Sequence, residues 1–235
     1  MNIVVLSSWG SHLLAPTLEA LARVALVPVA VLFDGEKDDR SLRIHRSRTE
    51  GFASDRSIFD LESLRLPGYF VRDHNSPLSV DLIRTFQADL LVNGGVRRIL
   101  QRPLLEAPRI GAVNSHPGIL PKYRGCECVE WAIYNDDPVG ATCHFMNTEI
   151  DAGPVVLSER MPIRRGEPYE AVRARIITHC ADVLARGIVR IRNEELSPAR
   201  MPPVSTDSYF NVMPEPLLAE VKRKLIDETY KAYEH

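Results

Sequence analysis

Short apolar runs alternate along the chain with segments whose apolar residues recur at helical spacing. Residues 2–6 form a β-branched apolar run, and leucines and alanines in 13–24 then recur every three or four positions. This succession predicts a strand, a tight turn and a helix. Similar buried-type runs follow at 25–33, 89–93 and 112–114. The pattern favours an α/β fold with an open, mostly parallel sheet and helices on both faces.

Two more strands and a long amphipathic helix, 169–191, are predicted after residue 140. The pattern then changes in the last fifth of the chain. Several prolines follow, and then a charged helix, 217–233, with apolar residues along one side. We therefore predict a main domain at 1–192 and a short C-terminal helical appendage at 193–235.

Charge and composition exclude several classes of protein. The 235 residues include 29 basic and 31 acidic side chains, a net charge of −2, which gives no broad basic surface for nucleic acid. The N-terminus lacks the features of a signal peptide, and no apolar stretch approaches the ~20 residues needed to span a membrane. We expect a cytoplasmic protein without a nucleic-acid or membrane partner. The charged region 34–61 is interpreted as a solvated loop or exposed helix. The alternative, that its basic residues grip a phosphorylated substrate, has no pattern to support it.

The cysteines do not indicate a metal site. Cys126 and Cys128 form a C-x-C pair, but Cys143 and Cys180 do not form a second pair at the spacing of a zinc site. Free thiols are the expected state in a chain of this size without a signal peptide.

Polar residues with complementary chemistry follow the strand predicted at 111–113. Asn114 and His116 are two residues apart, so an extended backbone places them on the same side. An amide N–H can stabilise an oxyanion, and an imidazole can exchange a proton near neutral pH. Acyl transfer to an amine needs both functions, although these residues alone would equally fit a turn with a hydrogen-bonded histidine. Asp151 alone would likewise fit a capped turn.

The combination of three motifs is more specific. Residues 114–125 read Asn-x-His-Pro-x-x-Leu-Pro-x-Tyr-x-Gly, residues 140–144 read Gly-x-Thr-x-His, and residues 151–155 read Asp-x-Gly-Pro-Val. In order and spacing they resemble the folate-dependent formyltransferase family, and the resemblance extends over 1–192. The family includes glycinamide ribonucleotide, methionyl-tRNA and sugar N-formyltransferases. The resemblance implies a Rossmann-like formyltransferase fold and 10-formyltetrahydrofolate as co-substrate. No metal is expected, because the thiol pair lacks companion ligands and the chemistry already has a base and an oxyanion donor.

The resemblance also implies residue roles. Asn114 corresponds to the oxyanion-stabilising amide, His116 to the general base or acid, and Asp151 to the carboxylate that orients His116 and helps to move protons. A carboxylate beside an imidazole would raise its basicity and fix its tautomer, which is consistent with these roles. His144 resembles a family histidine near the site, but it could equally be a packed, hydrogen-bonded residue.

Two further groups of residues are predicted to bind ligands. The loop after the strand at 89–93 and the Asp-x-Gly turn are expected to hold the folate. Glycine would let the backbone approach a flat ligand, although a plain strand-end turn is the alternative. The predicted folate contacts are Gly94, Gly95, Val96, Arg98, Ile99, Leu100, Ile150 and Gly153. The predicted acceptor contacts are Gly10, Ser11, His12, Tyr123 and Arg124. Gly10 and Ser11 lie at the first strand-to-helix turn, where an anion could bind or Ser11 could cap the helix.

The acceptor is expected to be a small-molecule amine, and a nucleotide-linked amino sugar is preferred. Methionyl-tRNA enzymes of the family normally carry a further domain of about a hundred residues, which the 43 residues after 192 could not form. A phosphoribosyl-amine such as glycinamide ribonucleotide, hydrolysis of the formylfolate by water, and ligand binding without catalysis remain alternatives. The sequence leaves open whether the protein is a homodimer.

Overall fold

The computed structural model describes residues 1–35, 40–50, 52, 66–202 and 204–233. The strands are β1 (Ile3–Ser8), β2 (Ala30–Asp34), β3 (Gly68–Phe70), β4 (Leu90–Asn93), β5 (Gly111–His116), β6 (Gly140–Phe145) and β7 (Val155–Arg160). The helices are α1 (Leu14–Arg23), α2 (Arg40–Thr49), α3 (Pro77–Thr85), α4 (Arg102–Leu105), α5 (Cys128–Tyr134), α6 (Tyr169–Glu194) and α7 (Glu215–Ile226), and a short 3-10 helix spans Pro198–Arg200.

The strands form one sheet in the order β3-β2-β1-β4-β5-β6-β7. The first five strands of the chain are parallel, whereas β6 runs antiparallel to both β5 and β7. The predicted open, mostly parallel sheet is thus confirmed. The chain moves outward from β1 to β2 and β3 and then returns to the other side of β1 with β4. A crevice opens at the carboxyl ends of the strands where such an order reverses, and open α/β sheets bind ligands there.

Helices cover both faces of the sheet, as the long apolar runs predicted. Ile3 and Val5 of β1 contribute to the core shared with α1 and α6. Val4 and Leu6, which alternate with Ile3 and Val5 along the strand, contribute to the core shared with α3 and α4. Because successive side chains of a strand point to opposite faces, a strand covered on both sides is apolar throughout.

The C-terminal segment packs against the region that follows the Asn-x-His motif. Helix α7 contacts α5, and its Val221 and Leu225 are fully buried. Upstream, the Phe210 N–H donates to the carbonyl of Arg124, and the Cys126 N–H donates to the carbonyl of Phe210. The helix predicted to reach residue 233 ends at Ile226, and the segment shares a core with α5 and the start of α6. The division into 1–192 and 193–235 stays a prediction.

The charged region 34–61 contains helix α2, whose described side chains are mostly exposed, in agreement with the exposed helix that was one of the two expectations. His45 and Thr49 are the buried exceptions among these side chains, because one face of the helix lies against α6. Residues 36–39, 51 and 53–61 of the region lie outside the described residues. Among the helices that the structure describes, none is long and apolar enough to cross a membrane.

Candidate active site

Strand pairing brings the predicted catalytic residues together at the carboxyl ends of β4 and β5. Strand β5 continues three residues beyond the predicted run, so both Asn114 and His116 belong to it. Its antiparallel partner β6 places His144 opposite Asn114 and Thr142 opposite His116. The site therefore lies beside the point where the strand order reverses.

Asp151 is held against His116 by the loop that follows β6. One carboxylate oxygen, Oδ2, lies 3.3 Å from His116 Nδ1 and accepts the Gly125 N–H at 3.1 Å. The backbone of Asp151 is left-handed, with φ of 51°. The buried guanidinium of Arg124 donates to the carbonyls of Ile150 at 2.7 Å and Asp151 at 3.2 Å. These contacts fix the carboxylate relative to the imidazole.

Hydrogen bonding determines which nitrogen of His116 can exchange a proton. Its Nε2 lies 2.8 Å from the carbonyl oxygen of Tyr123, which only accepts, so Nε2 carries a hydrogen and donates. The neutral ring then has its lone pair on Nδ1, facing Asp151. Burial lowers the pKa of His116 below its ordinary value, while the charge of Asp151 and the Tyr123 carbonyl oppose this shift. In its neutral form His116 therefore presents a basic nitrogen to a carboxylate.

Asn114 lies in a second set of hydrogen bonds. Its Oδ1 is 3.1 Å from Asn93 Nδ2, and its Nδ2 is 3.3 Å from His144 Nε2. His144 Nδ1 lies 2.8 Å from the carbonyl of Phe145, so Nδ1 carries the hydrogen. Burial lowers the pKa of His144 to about 4, and the ring is neutral near pH 7. His144 is thus both packed and part of the site, and its Nε2 lies 3.7 Å from the Asp151 carboxylate.

Two cavities meet at this site. The first has a volume of about 220 Å³ and lies between the loop after β4 and residues 146–151. The second has a volume of about 300 Å³ and lies between α1, α2 and α6. Asn93 and Asn114 line both cavities. Asp151 and His144 line the first cavity, which we name the loop cavity, and Ser115 lines the second, which we name the helix cavity.

The residues predicted to contact folate divide into five that line the loop cavity and three glycines. The five are Val96, Arg98, Ile99, Leu100 and Ile150. The guanidinium of Arg98, however, is bound by the carboxylates of Asp34 and Asp73, so this side chain anchors the loop.

Contacts within the protein give a further reason for the three glycines. A Cβ on Gly94 would lie 2.7 Å from Val5 Cγ1, and a Cβ on Gly153 would lie 1.7 Å from the Phe145 carbonyl oxygen. Gly95 has φ of 103° and lies against Ser11. Packing of the protein on itself therefore requires glycine at 94 and 153, whereas Gly95 also lines the helix cavity. Contact of the three glycines with folate stays a prediction.

The predicted acceptor contacts are also divided. His12 lines the helix cavity, whereas Gly10 and Ser11 do not line either cavity. Ser11 does not cap α1, which begins at Leu14; its Oγ accepts the Leu13 N–H at 3.3 Å.

Tyr123 and Arg124 need revision as acceptor contacts. The Tyr123 ring stacks on Phe210 inside a core, and the Arg124 guanidinium holds the loop that carries Asp151. Both side chains are buried away from the two cavities, so their placement is structural.

Several residues of the site were not among the predicted contacts. His45 and Arg48 of α2 and Arg173 of α6 line the helix cavity, and their sequence neighbourhoods contain no motif. Packing of α2 and α6 over the strand ends brings them there. Asn93 did have a signal, because it is a polar residue at the carboxyl end of a buried strand next to β5.

The imidazole rings of His12 and His45 stack in parallel at the edge of the helix cavity, with centroids 4.2 Å apart. Burial, followed by the charges of His45, Arg173 and Arg97, lowers the pKa of His12 to about 4. The Nδ1 of His12 and the Nε of Arg173 are buried without a hydrogen-bond partner. The Nη1 of Arg173 lies 3.4 Å from the buried carboxylate of Glu130, so what this wall offers a ligand is its two unpartnered hydrogen-bonding atoms.

Comparison with known proteins assigns the chain to a family. The sequence profile of the family described as "Formyl transferase" matches residues 1–188. The chain belongs to the formyl transferase family. It is 33% identical over 128 residues to a methionyl-tRNA formyltransferase from Trichodesmium erythraeum, an alignment that covers 54% of this chain and 38% of that protein. The chain thus spans well under half of the length of this curated relative.

Solved structures of the family share the fold. Glycinamide ribonucleotide transformylase 1 from Symbiobacterium toebii superposes with a TM-score of 0.63 at 20% identity, covering 87% of this chain and 94% of that one. A sugar N-formyltransferase from Shewanella sp. FDAARGOS_354 superposes with a TM-score of 0.60 at 21% identity, covering 90% and 77%. At these identities the likeness shows the fold alone.

Proposed function

We propose that this member of the formyl transferase family transfers the formyl group of 10-formyltetrahydrofolate to the amino group of a small molecule. The observation that carries the proposal is the meeting of two cavities at Asn114, with the His116–Asp151 pair beside it. Group transfer between two ligands requires two binding sites that share one reacting centre.

The loop cavity fits a flat, partly apolar ligand such as a pterin. Ile99 and Ile150 line it with largely exposed side chains, which is unusual for isoleucine and gives apolar surface for a ring to cover. The surrounding backbone of 96–100 and 146–151 supplies N–H and carbonyl groups that can bind the ring edges. Among the residues that the structure describes, no group of His, Cys, Asp and Glu could hold a metal.

The proposed reaction uses three side chains. The neutral amine attacks the formyl carbon, and the electron pair of the C=O bond moves to the formyl oxygen, which accepts a hydrogen bond from Asn114 Nδ2. The amine proton passes to the His116–Asp151 pair, where Nδ1 and the carboxylate face each other and a proton can bridge them. The pair then protonates the folate nitrogen as its bond to the formyl carbon breaks and the C=O bond re-forms. The products are the formamide and tetrahydrofolate.

We propose that the acceptor is a nucleotide-linked amino sugar, with its amine in the helix cavity. A further cavity of about 440 Å³ adjoins the helix cavity and shares His12, His45 and Ile177 with it. The stacked imidazoles therefore stand between an inner and an outer chamber. An acceptor with two parts fits this arrangement, with the amino sugar inside, phosphates near His12 and Arg173, and the base in the outer chamber near Phe52.

A turnover assay tests the proposed function. The protein is incubated with 10-formyltetrahydrofolate and nucleoside-diphosphate amino sugars, phosphorylated amines or amino acids, and formamide product and free formate are both measured. Formamide formed faster than formate supports transfer, whereas formate release unaffected by every amine would indicate hydrolysis. Binding of the folate without either product would indicate a binding protein.

The acceptor class has a separate test. Arg173→Gln should raise the KM for a phosphorylated acceptor without changing formate release in the absence of amine, because Arg173 lies on the acceptor side only. Arg192→Gln, an exposed change on the same helix, is the matched control. Inhibition by tRNA together with indifference to nucleotides would contradict the amino-sugar assignment and leave the chemistry of Asn114, His116 and Asp151 intact.

A further inference from the structure

Asn93 lies at the end of β4, between the two cavities, and its side chain touches both the loop and Asn114. Its Oδ1 accepts the backbone N–H groups of Gly95 and Val96, each at 2.9 Å. A backbone N–H can only donate, so the oxygen of this amide must face the loop. The Nδ2 group must then face the other way, toward Asn114.

This orientation determines that of the catalytic amide. Asn93 Nδ2 donates to Asn114 Oδ1 at 3.1 Å, so the Nδ2 of Asn114 points toward His144. The other end of this series of hydrogen bonds is equally fixed. His144 Nδ1–H donates to the carbonyl of Phe145, which leaves an acceptor lone pair on Nε2. The hydrogen bonds therefore run in one direction from the Gly95 and Val96 N–H groups to the Phe145 carbonyl.

The direction matters for catalysis because an amide has two faces of opposite polarity. With Asn114 as it stands, one N–H bonds His144 and the second N–H remains for the formyl oxygen. With the amide rotated by a half turn, its oxygen would face both the His144 lone pair and the developing oxyanion. This arrangement is excluded by the backbone groups at the two ends of the hydrogen-bond series, because a backbone N–H or carbonyl cannot reverse its polarity.

Resting on the proposed formyl transfer, we infer that Asn93 is a positioning residue that sets the polarity of the Asn114 amide and so makes it an oxyanion donor. Asn93 does not itself contact the formyl group. It also couples the loop that lines the folate side to the catalytic amide, since the same side chain binds both.

Asn93→Asp separates the two contacts of this side chain. A carboxylate can still accept the Gly95 and Val96 N–H groups, so the loop contact is kept. It cannot donate to Asn114 Oδ1, and it favours the half-turn rotation of Asn114. We expect kcat to fall by about 10² to 10³-fold, the range for loss of an oxyanion donor, with little change in the KM for the folate. Asn93→Ala, which loses both contacts, should in addition raise that KM.

A matched control accounts for the added charge. Asn75 binds the other end of the same loop: its Oδ1 accepts the Gln101 N–H at 2.8 Å, and its Nδ2 donates to the Ile99 carbonyl at 3.0 Å. Asn75→Asp adds the same charge beside the loop without touching Asn114, and it should leave kcat within about threefold of the unmodified protein.

A double-mutant cycle distinguishes positioning from direct repulsion of the oxyanion. If Asn93 acts through Asn114, Asn93→Asp should have little further effect on kcat in the Asn114→Ala background. A loss that persists in that background would overturn the inference, as would an Asn93→Asp protein whose kcat stays within about threefold of normal.

A structural readout keeps this test independent of the proposed function. The side-chain NH₂ signals of Asn114, assigned by comparison with Asn114→Ala in asparagine-labelled protein, should shift in Asn93→Asp and stay unchanged in Asn75→Asp. If no amine is formylated and no formate is released, the proposed function fails, but the shift still decides whether Asn93 orients Asn114. An Asn114 signal unaffected by Asn93→Asp would overturn the inference.

Discussion

Asp151→Asn tests the proton-transfer pair with the least disturbance to the backbone. Asparagine adopts the left-handed conformation required at φ of 51° more readily than most residues, and its oxygen can still accept the Gly125 N–H. The substitution thus removes the charge that faces His116 Nδ1 at 3.3 Å and little else. Alanine would also strain the turn and is a poorer test.

The expected loss of kcat follows from the distance between the Asp151 carboxylate and His116 Nδ1 and from the burial of His116. At 3.3 Å, with an effective dielectric constant of about 20, a carboxylate and an imidazolium attract by about 5 kcal/mol, part of which desolvation offsets. Without this charge, burial lowers the pKa of His116 further, and the pair no longer accepts the amine proton. We expect kcat to fall by about 10² to 10⁴-fold, or about 3 to 5 kcal/mol, with an unchanged KM for the folate.

The assay is steady-state formation of tetrahydrofolate with the best acceptor from the turnover screen. Asp182→Asn, a change at a half-buried position of α6 that removes an ion pair with Arg23, is the control and should retain normal turnover. An Asp151→Asn protein with more than about half of the normal kcat and an unaltered pH profile would refute the proposed role of the carboxylate.

Further predictions concern the same site and the C-terminal tail, residues 193–235. Asn114→Ala should cost about 2.7 to 4 kcal/mol of transition-state stabilisation, and an unchanged kcat would assign the oxyanion to another group. Because burial lowers the pKa of His116, the acid limb that this base contributes to the pH profile should lie below about 6.5; a limb above that value would contradict the assignment. Activity should survive exhaustive chelation, and loss restored by zinc would exclude the mechanism. Leu225→Ala in α7 should lower the free energy of unfolding by about 2 to 5 kcal/mol in a denaturant titration, whereas a negligible loss would show that the tail is dispensable.

Local pattern was sufficient to predict the class of fold and the shared side of Asn114 and His116, whereas the catalytic roles of the trio rest on the family resemblance and stay a prediction. Apolar runs of strand length alternating with helical periodicity specify a parallel sheet covered on both faces, because each strand must be apolar on both sides. Asn114 and His116 could be placed on one side of a strand from their spacing alone, since the repeat of an extended backbone is two residues. The Asp-x-Gly-Pro-Val motif supplied Asp151 through its resemblance to the family, and not through any local rule.

The tertiary structure alone decided which of the remaining residues face the cavities. Tyr123 and Arg124 stand in the motif but are buried, because residues 204–233 pack over them and Asp151 lies against Arg124. The motifs omitted Arg173 and His45 because helices α6 and α2 reach the strand ends only through packing between distant segments.

The polarity of the Asn114 amide shows the same limit at atomic scale. It depends on Asn93, 21 residues away, and on His144, 30 residues away, which the pairing of β5 with its neighbours brings within hydrogen-bonding distance. The sequence determines which groups are present, because chemistry belongs to residue types. The fold determines which way each group points, because hydrogen bonds are directional and their partners are distant along the chain.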